Sequence, residues 1–259
     1  MKHYTTQDKL NFATYNSKEA VSDYDFAISE GLQAPEEYIL NFLKNKIVGK
    51  KILDIGIGAG RTTHFLANLE LDYTGIDYSP AMIENAKKRF PNVKKLFTCD
   101  ARNMELFQNE SFDFVFFSFN GIDSVNHSDR LLILKEIKRV LKPDSYFAFS
   151  SHNKLYYKKK FKFIYPRKNP RFFFKNLQGL TRFLNNKRKE IHTSDYSIVN
   201  DSGQNYKLLT YYITMDKQIE QLKNLDFSDD FFCVNRSGKL ILTQENSKDS
   251  IWIYYCVKK

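Results

Sequence analysis

Cysteine is scarce in this chain, and long apolar runs are missing. The three cysteines among 259 residues are Cys99, Cys233 and Cys256. They are odd in number and widely spaced, which excludes a disulfide framework and a zinc pattern and fits a reducing cytoplasm. No apolar run reaches the roughly eighteen residues of a membrane span, so no transmembrane helix is expected. The opening stretch, MKHYTTQDKLNFATYNSKEA, is polar and lacks the apolar region of a signal peptide. A cytoplasmic protein is therefore expected. Internal repeats are absent. What remains is 42% hydrophobic, enough for a sizeable core in one domain or in a domain with an insertion.

Charge is unevenly placed. The whole chain carries +10. Residues 151 to 190 hold thirteen Lys or Arg and one acid, Glu190, a local balance of +12 that leaves the rest near −2. Nine aromatics lie in the same forty residues. A lysine-rich surface loop is one reading, and a site for something anionic is the other.

Along the chain, strands and helices alternate. PEEYILNFLKNK places Tyr38, Ile39, Phe42 and Leu43 at helical spacing, with Pro35 in the first turn. KILDIGI reads as a buried strand and GRTTHFLANL as the next helix, with Phe65, Leu66 and Leu69 on its apolar face. YTGID is a second strand. SPAMIENAKKRF is a helix capped by Ser79, with Pro80 at its first position. VKKLFTCD, FDFVFFSFN and SYFAFSSHN are further strands, the last preceded by the amphipathic helix SDRLLILKEIKRVLK, which Pro143 stops. The rhythm predicts a doubly wound, mostly parallel α/β sheet of seven strands, the last antiparallel. After strand five it breaks. Residues 154–205 are basic, aromatic and polar, with no clean strand. Within them Phe173, Leu177, Leu180 and Leu184 are expected to share one helix face. NYKLLTYYIT, the helix MDKQIEQLKNL and the strands FFCVN and SIWIYYCV then resume the sheet. One domain is expected. It comprises an N-terminal cap or lid (1–46), a ligand-binding core (47–153), a basic insertion over a second substrate (154–205) and the end of the sheet (206–259).

The loop LDIGIGAG lets backbone approach a ligand, and the following helix start favours an anionic group. A tight turn without ligand is the alternative. A dinucleotide fingerprint would put its third glycine at 61, where Arg61 stands. The third glycine is Gly60, after Gly56 and Gly58, and Asp54 precedes them.

On these residues the chain resembles class I S-adenosylmethionine-dependent methyltransferases. LDIGIGAG looks like their first motif, YTGIDYSPAMI with Asp77 like the second, and FTCDARNM with Asp100 like the third. FDFVFFSFN and LKEIKRVLKPDSYFAFS look like the later units, so the resemblance covers residues 36 to 152. It implies S-adenosylmethionine as donor, S-adenosylhomocysteine as product and no metal. Asp77 would grip both ribose hydroxyls, with helix capping beside Ser79 as its alternative role. Tyr78 would lie against adenine. Asp100 would accept from the adenine amino group, and the Ala101 amide would meet a ring nitrogen. Asp54 and the glycine loop would hold the methionyl end. Arg61 would pair with its carboxylate or be a surface residue. Asn120 would lie where sulfonium and acceptor meet. GAGRTT, FSFNGID and FSSHN further resemble bacterial methyltransferases of surface-glycan biosynthesis, which implies capsule or polysaccharide chemistry.

Methyl transfer to a hydroxyl needs a base. His152, in SSHN, is the candidate, because imidazole titrates near neutral pH. Binding loop backbone or orienting Asn153 is its alternative role. Asp123 is the second candidate, as partner to His152 or as acceptor ligand. Asn120 completes the catalytic set. His127 is expected to cap or precede the helix starting near Ser128. If the acceptor oxygen belongs to a phosphate, no base is required, and the basic insert suits that case. The expected acceptor is a small phosphate- or nucleotide-bearing molecule met by Asn153 and Arg167, with Tyr15 and Tyr24 as lid or as packing on the first helix. N-methylation of an amino sugar is the alternative. A nucleic-acid methyltransferase is a rival reading, but SFNG lacks the Asn/Asp-Pro-Pro-aromatic motif, and no catalytic cysteine pattern or RNA-binding module is visible. A binding protein laid on an anionic membrane is another, from the pattern RFFFKNLQGLTRFLNNKRK. Oligomeric state is not readable.

Overall fold

The computed structural model describes residues 5–27, 31–69, 72–160, 170–201 and 203–259. Three helices lead in: α1 (Thr6–Tyr15), α2 (Lys18–Ala27) and α3 (Ala34–Ile47). Thr5 opens α1 through a capping box with Asp8. The alternating core then runs β1 (Lys51–Ile55), α4 (Thr63–Leu66), β2 (Asp72–Asp77), α5 (Pro80–Arg89), β3 (Leu96–Thr98) and β4 (Phe112–Phe117). A 3-10 turn (Gly121–Ser124), α6 (His127–Val140) and β5 (Leu141–Asn153) follow. Next come α7 (Lys154–Lys160), α8 (Pro170–Lys187), β6 (Ile191–His192), β7 (Tyr196–Val199) and β8 (Thr210–Ile213). The chain closes with α9 (Met215–Lys223), β9 (Phe231–Asn235), β10 (Leu240–Ile241), α10 (Gln244–Ser247) and β11 (Trp252–Lys258).

The sheet order is β10-β9-β11-β5-β4-β1-β2-β3. β1 pairs in parallel with both β2 and β4, so strand order reverses between β1 and β4. In such sheets that switch point is where ligands bind. β11 is inserted antiparallel between β5 and β9. Period-2 alternation divides the core. Val115 and Phe117 face the layer under α6 and α9, with Ile133, Ile137 and Leu222. Phe114 and Phe116 face the other layer, under α3 and α5, with Ile39, Leu43 and Ile83. The sequence thus builds helices on both faces of one mostly parallel sheet. Among the described residues no helix is long and apolar enough to cross a membrane.

Several expectations need correction. The sheet holds eleven strands, not seven. The extra strands are short: β10 forms a hairpin with β9, and β6, β7 and β8 form a ribbon attached to the end of β5. The segment 154–205 therefore does contain strands. Its helix α8 turns Gly179, Phe183 and Asn186 inward, while Leu180 and Leu184 are exposed. Asn186 explains the choice, since its side chain donates to the Tyr206 carbonyl at 3.0 Å. The side chains of Phe173 and Leu177 lie outside the described residues. α4 is one turn rather than a long helix, and Leu69 is exposed. Asn68 donates to the His64 carbonyl at 2.7 Å, competing with the helical ladder. Helix α6 stops before Pro143 as expected. Pro143 has no ladder donor and Asp144 sits at φ 59°, where the β4–β5 register shifts.

Candidate active site

Two clusters lie at the carboxyl ends of the central strands. The first is built on the loop after β1. Gly56 and Gly58 have φ of +67° and +55°, conformations that side chains resist. A Cβ on Gly56 would stand 2.7 Å from the Phe117 ring. The loop folds back on Asp77: the Gly58 amide donates to Oδ2 at 2.9 Å and the Ser79 amide to Oδ1 at 2.8 Å. Burial pushes the Asp77 carboxyl up to about 6, against the pull of these amides. The loop opens onto a partly enclosed, mainly apolar cleft, the form small-molecule sites usually take. Gly56, Gly58, Asp77, Tyr78, Asp100 and Ala101 line it. Met82, Phe117, Val125 and Ile133 add apolar walls. An adenosyl group fits this donor set. There is a buried carboxylate for a diol, an aromatic face for a base, and an acid beside a backbone amide at the next strand's end.

Arg102, which the sequence reading missed, organises the far end. Its Nε and Nη2 donate to Asp100 at 3.0 and 2.8 Å, and its Nη1 to Asp8 at 2.9 Å and Asp129 at 2.7 Å. It ties α1 and α6 to the loop after β3 that carries Asp100. Cys99 also lines the cleft. Tyr15 and Tyr24, on α1 and α2, line this same cleft. The Tyr15 ring sits 5.9 Å from Tyr24 and 6.0 Å from Tyr78.

Two expected ligands of the methionyl end, Asp54 and Arg61, are engaged elsewhere, and Gly60 is not among the residues lining the cleft. Asp54 accepts from Thr62 Oγ1 at 2.7 Å and Tyr73 OH at 2.9 Å, and burial pushes it up to about 7. Gly60 packs against Phe90, where a Cβ would stand 2.4 Å from the ring. Arg61 is neither a surface residue nor open to a carboxylate in the cleft. It is 7% exposed, and its two Nη atoms each donate to Glu36 at 2.6 Å. Burial opposes ionisation of Glu36, but Arg61 outweighs it and holds that carboxyl below the usual range. Glu36 stood in a helix read only for its apolar face, so its role was invisible.

The second cluster surrounds His152. Asp123 Oδ2 accepts from the His152 backbone amide and from its ring Nδ1, both at 2.7 Å. Asp123 Oδ1 accepts from Arg130 Nη1 at 2.5 Å and Ser151 Oγ at 2.8 Å. With Nδ1 donating, Nε2 is left as an acceptor, a tautomer assigned from this network. Asp123 is thus the partner of His152, not a free ligand. The His152 ring is 4.8 Å from Tyr212 and 6.4 Å from Trp252. Phe119 is 6.2 Å from Trp252 and also lines the first cleft, so it stands between the two clusters. Phe119 and Asn120 have φ of 53° and 60°, strain of a kind that gathers at functional sites. Asn120 does not line the first cleft. Its backbone N–H donates to Ser150 Oγ at 2.7 Å, and its side-chain Oδ1 is buried without a partner.

Asn153 is not available to a substrate. It is fully buried, its Nδ2 donates to the Ser247 and Ser250 carbonyls, and its Oδ1 accepts from the Leu155 amide. Arg167 lies outside the described residues. His127 begins α6 rather than preceding it, and its ring stacks on Tyr196 at 4.4 Å. Among the described residues no cluster of three or more His, Cys, Asp or Glu is placed to hold a metal.

Residues 52–144 match the family model of a methyltransferase domain. Over 95 residues the chain is 40% identical to the uncharacterized methyltransferase YodH of Bacillus subtilis, covering 36% of this chain and 39% of that protein. Over 99 residues it is 37% identical to the demethylmenaquinone methyltransferase of Staphylococcus aureus, covering 37% and 40%. The chain thus spans about two fifths of the length of these curated relatives. Among solved structures, the Burkholderia thailandensis 1,6-didemethyltoxoflavin-N1-methyltransferase superposes with a TM-score of 0.62 at 12% identity, over 100% of this chain and 92% of that one. That structure holds its substrate and S-adenosylhomocysteine. The fold is the Rossmann-like class I methyltransferase fold.

Proposed function

We propose that this chain transfers a methyl group from S-adenosylmethionine to a small-molecule acceptor, leaving S-adenosylhomocysteine. The observation that carries the reading is the cradle of Gly56, Gly58 and Asp77 opening into one cleft with Asp100 and Ala101. Both carboxylate oxygens of Asp77 keep lone pairs beyond those used by Gly58 and Ser79, and these can accept from a ribose diol. Tyr78 supplies a face for the base, and Asp100, steadied by Arg102, an edge. When bound, adenosylmethionine supplies an electrophilic methyl group on a positively charged sulfur. The protein's part is then alignment, exclusion of water and management of one proton. His152 Nε2 takes the proton that an acceptor hydroxyl loses, while Asp123 and, behind it, Arg130 fix the ring. Phe119 separates the two clusters, and Tyr15 and Tyr24 close the donor side.

For the acceptor we put forward a small anion. O-methylation of a sugar nucleotide, or of a phosphate- or phosphoramidate-bearing precursor of a bacterial surface polysaccharide, suits the local charge of the segment 151 to 190. The described part of the segment 154–205 is read as an acceptor lid, since its strand β7 pairs with β8, which joins the end of β5 at His152. The test is calorimetric binding of adenosylhomocysteine, followed by turnover of adenosylmethionine against a panel of sugar nucleotides and phosphorylated glycan precursors. His152→Ala should keep donor affinity and lose turnover. A wild-type chain that binds no adenosylhomocysteine would sink the reading, and full turnover in the variant would remove the base.

A further inference from the structure

Arg61 has left the position the motif implied for it, and its new surroundings give it a different task. Its guanidinium is held on three sides. Glu36 takes both Nη atoms, the Gly31 carbonyl accepts from Nη1 at 2.9 Å, and Ser118 Oγ lies 3.4 Å from Nη2. In addition, its Cζ lies over the Phe119 ring, 5.0 Å from the centroid. Glu36 in turn accepts from Tyr254 OH at 2.9 Å and from Ser118 Oγ. One buried ion pair therefore touches α3, the glycine loop, the end of β4 and β11. The residues it grips on the β4 side, Ser118 and Phe119, are walls of the donor cleft. Phe119 is held in a backbone conformation that a free chain would leave.

We propose that Arg61 and Glu36 are positioning residues for the methyl-transfer site: through Ser118 and the face of Phe119 they set the wall between donor cleft and the His152–Trp252 cluster. The proposal rests on the methyltransferase reading. A buried ion pair is a weak source of stability, since apolar replacements of similar volume are commonly tolerated. Its value here is directional. A planar guanidinium with a bidentate partner can fix a ring by stacking, which a lysine or an aliphatic side chain cannot do. The pair also couples the donor wall to the Gly31 end of the N-terminal segment, so that the lid and the wall share one anchor.

Trp252 is the chain's single tryptophan, and its ring meets Phe119, so its emission reports the wall directly. The test uses the full chain and two probes, adenosylhomocysteine and methylthioadenosine, which lacks the amino-acid end. The double variant Glu36→Gln/Arg61→Met removes both charges together and should stay folded. It should bind both probes within about threefold of wild type, yet show shifted Trp252 emission and no further change on adding adenosylhomocysteine. Phe119→Leu, which leaves the ion pair intact, should give the same loss of signal. Wild-type emission and a wild-type response in either variant would overturn the proposal. A tenfold or greater loss for adenosylhomocysteine with methylthioadenosine unchanged would overturn it too, by making Arg61 a carboxylate ligand. Binding of neither probe by wild type would instead remove the methyltransferase reading beneath it.

Discussion

Asp77 makes the donor site sensitive to pH in a direction that can be worked out. The residue is 6% exposed, and its carboxyl sits at about 6 rather than 3.8, because burial disfavours the charge. Gripping a ribose diol requires the ionised form, which accepts two charge-assisted hydrogen bonds. Below pH 6 each unit of acid should therefore weaken adenosylhomocysteine about tenfold, the work of charging one carboxyl. Above about pH 7 the affinity should be flat. Asp77→Asn loses both charge assists and presents an amide N–H to the backbone amide of Gly58 or Ser79. At about 1.5 kcal/mol for each lost charge-assisted bond, its affinity at pH 7.5 should fall about a hundredfold. The remaining affinity should no longer follow acid. Stability of the free protein runs the opposite way. The folded pKa is raised, so the contribution of Asp77 is fully present below about pH 3.8 and is lost as pH rises through 6. A shift of about two units corresponds to about 3 kcal/mol. Asp54, near 7, adds the same sign over a window reaching higher. Calorimetric titration from pH 5 to 8, with melting curves on the free protein, measures both. An acid slope that persists in Asp77→Asn, or a flat wild-type profile, refutes the reasoning.

Other consequences are separable. Cys99 lines the donor cleft, whereas Cys233 and Cys256 are buried and burial pushes the Cys233 thiol up to about 12 and Cys256 upward as well. One thiol should react with a disulfide reagent in the folded protein, and saturating adenosylhomocysteine should slow it; reaction at an unprotected rate would move the ligand elsewhere. Gly60→Ala forces a Cβ into Phe90 at φ +96° and should cost about 2 kcal/mol. Differential scanning calorimetry should read this as a melting temperature about 4–8 °C lower. Asn153→Ala strands two carbonyls and one amide and should destabilise by about 2–3 kcal/mol. Its KM for the methyl acceptor should be unchanged, and a selective rise in that KM would restore Asn153 to the acceptor site.

What could be read from the sequence follows how far each contact reaches. The strand–helix alternation, the glycine loop and Asp77 are local patterns, because a parallel strand delivers its last residues to the same edge each time. Gly56, Gly58, Asp77, Tyr78, Asp100 and Ala101 therefore meet in one cleft. Arg61 and Asn153 sit in the same motifs, yet their side chains turn to Glu36 and to the loop before β11. Motif position fixes the backbone of such residues, not the partner of a long or amide side chain. Arg102 is the converse case. It follows a motif acid by two residues and reads as ordinary surface charge, but α1 and α6 each bring it a carboxylate.

The acceptor side depends on pairing register. Antiparallel insertion of β11 sets Trp252 opposite His152 and Ile253 opposite Ser151. Parallel pairing of β8 on the same residue sets Tyr212 opposite His152. The aromatic surroundings of the imidazole are thus assembled by two ladders that close on one position of β5. A slip of one residue in either ladder would turn the facing ring to the opposite side of the sheet. Asp123 supplies the check on that register. It binds both the His152 backbone amide and its ring nitrogen, so it fixes the position on the ladder and the direction of the side chain together. Hence Asp123→Asn should disturb the orientation of His152 and turnover should fall in this variant; because it also leaves the buried Arg130 guanidinium without its carboxylate, the melting temperature should fall at least as far as in Asn153→Ala.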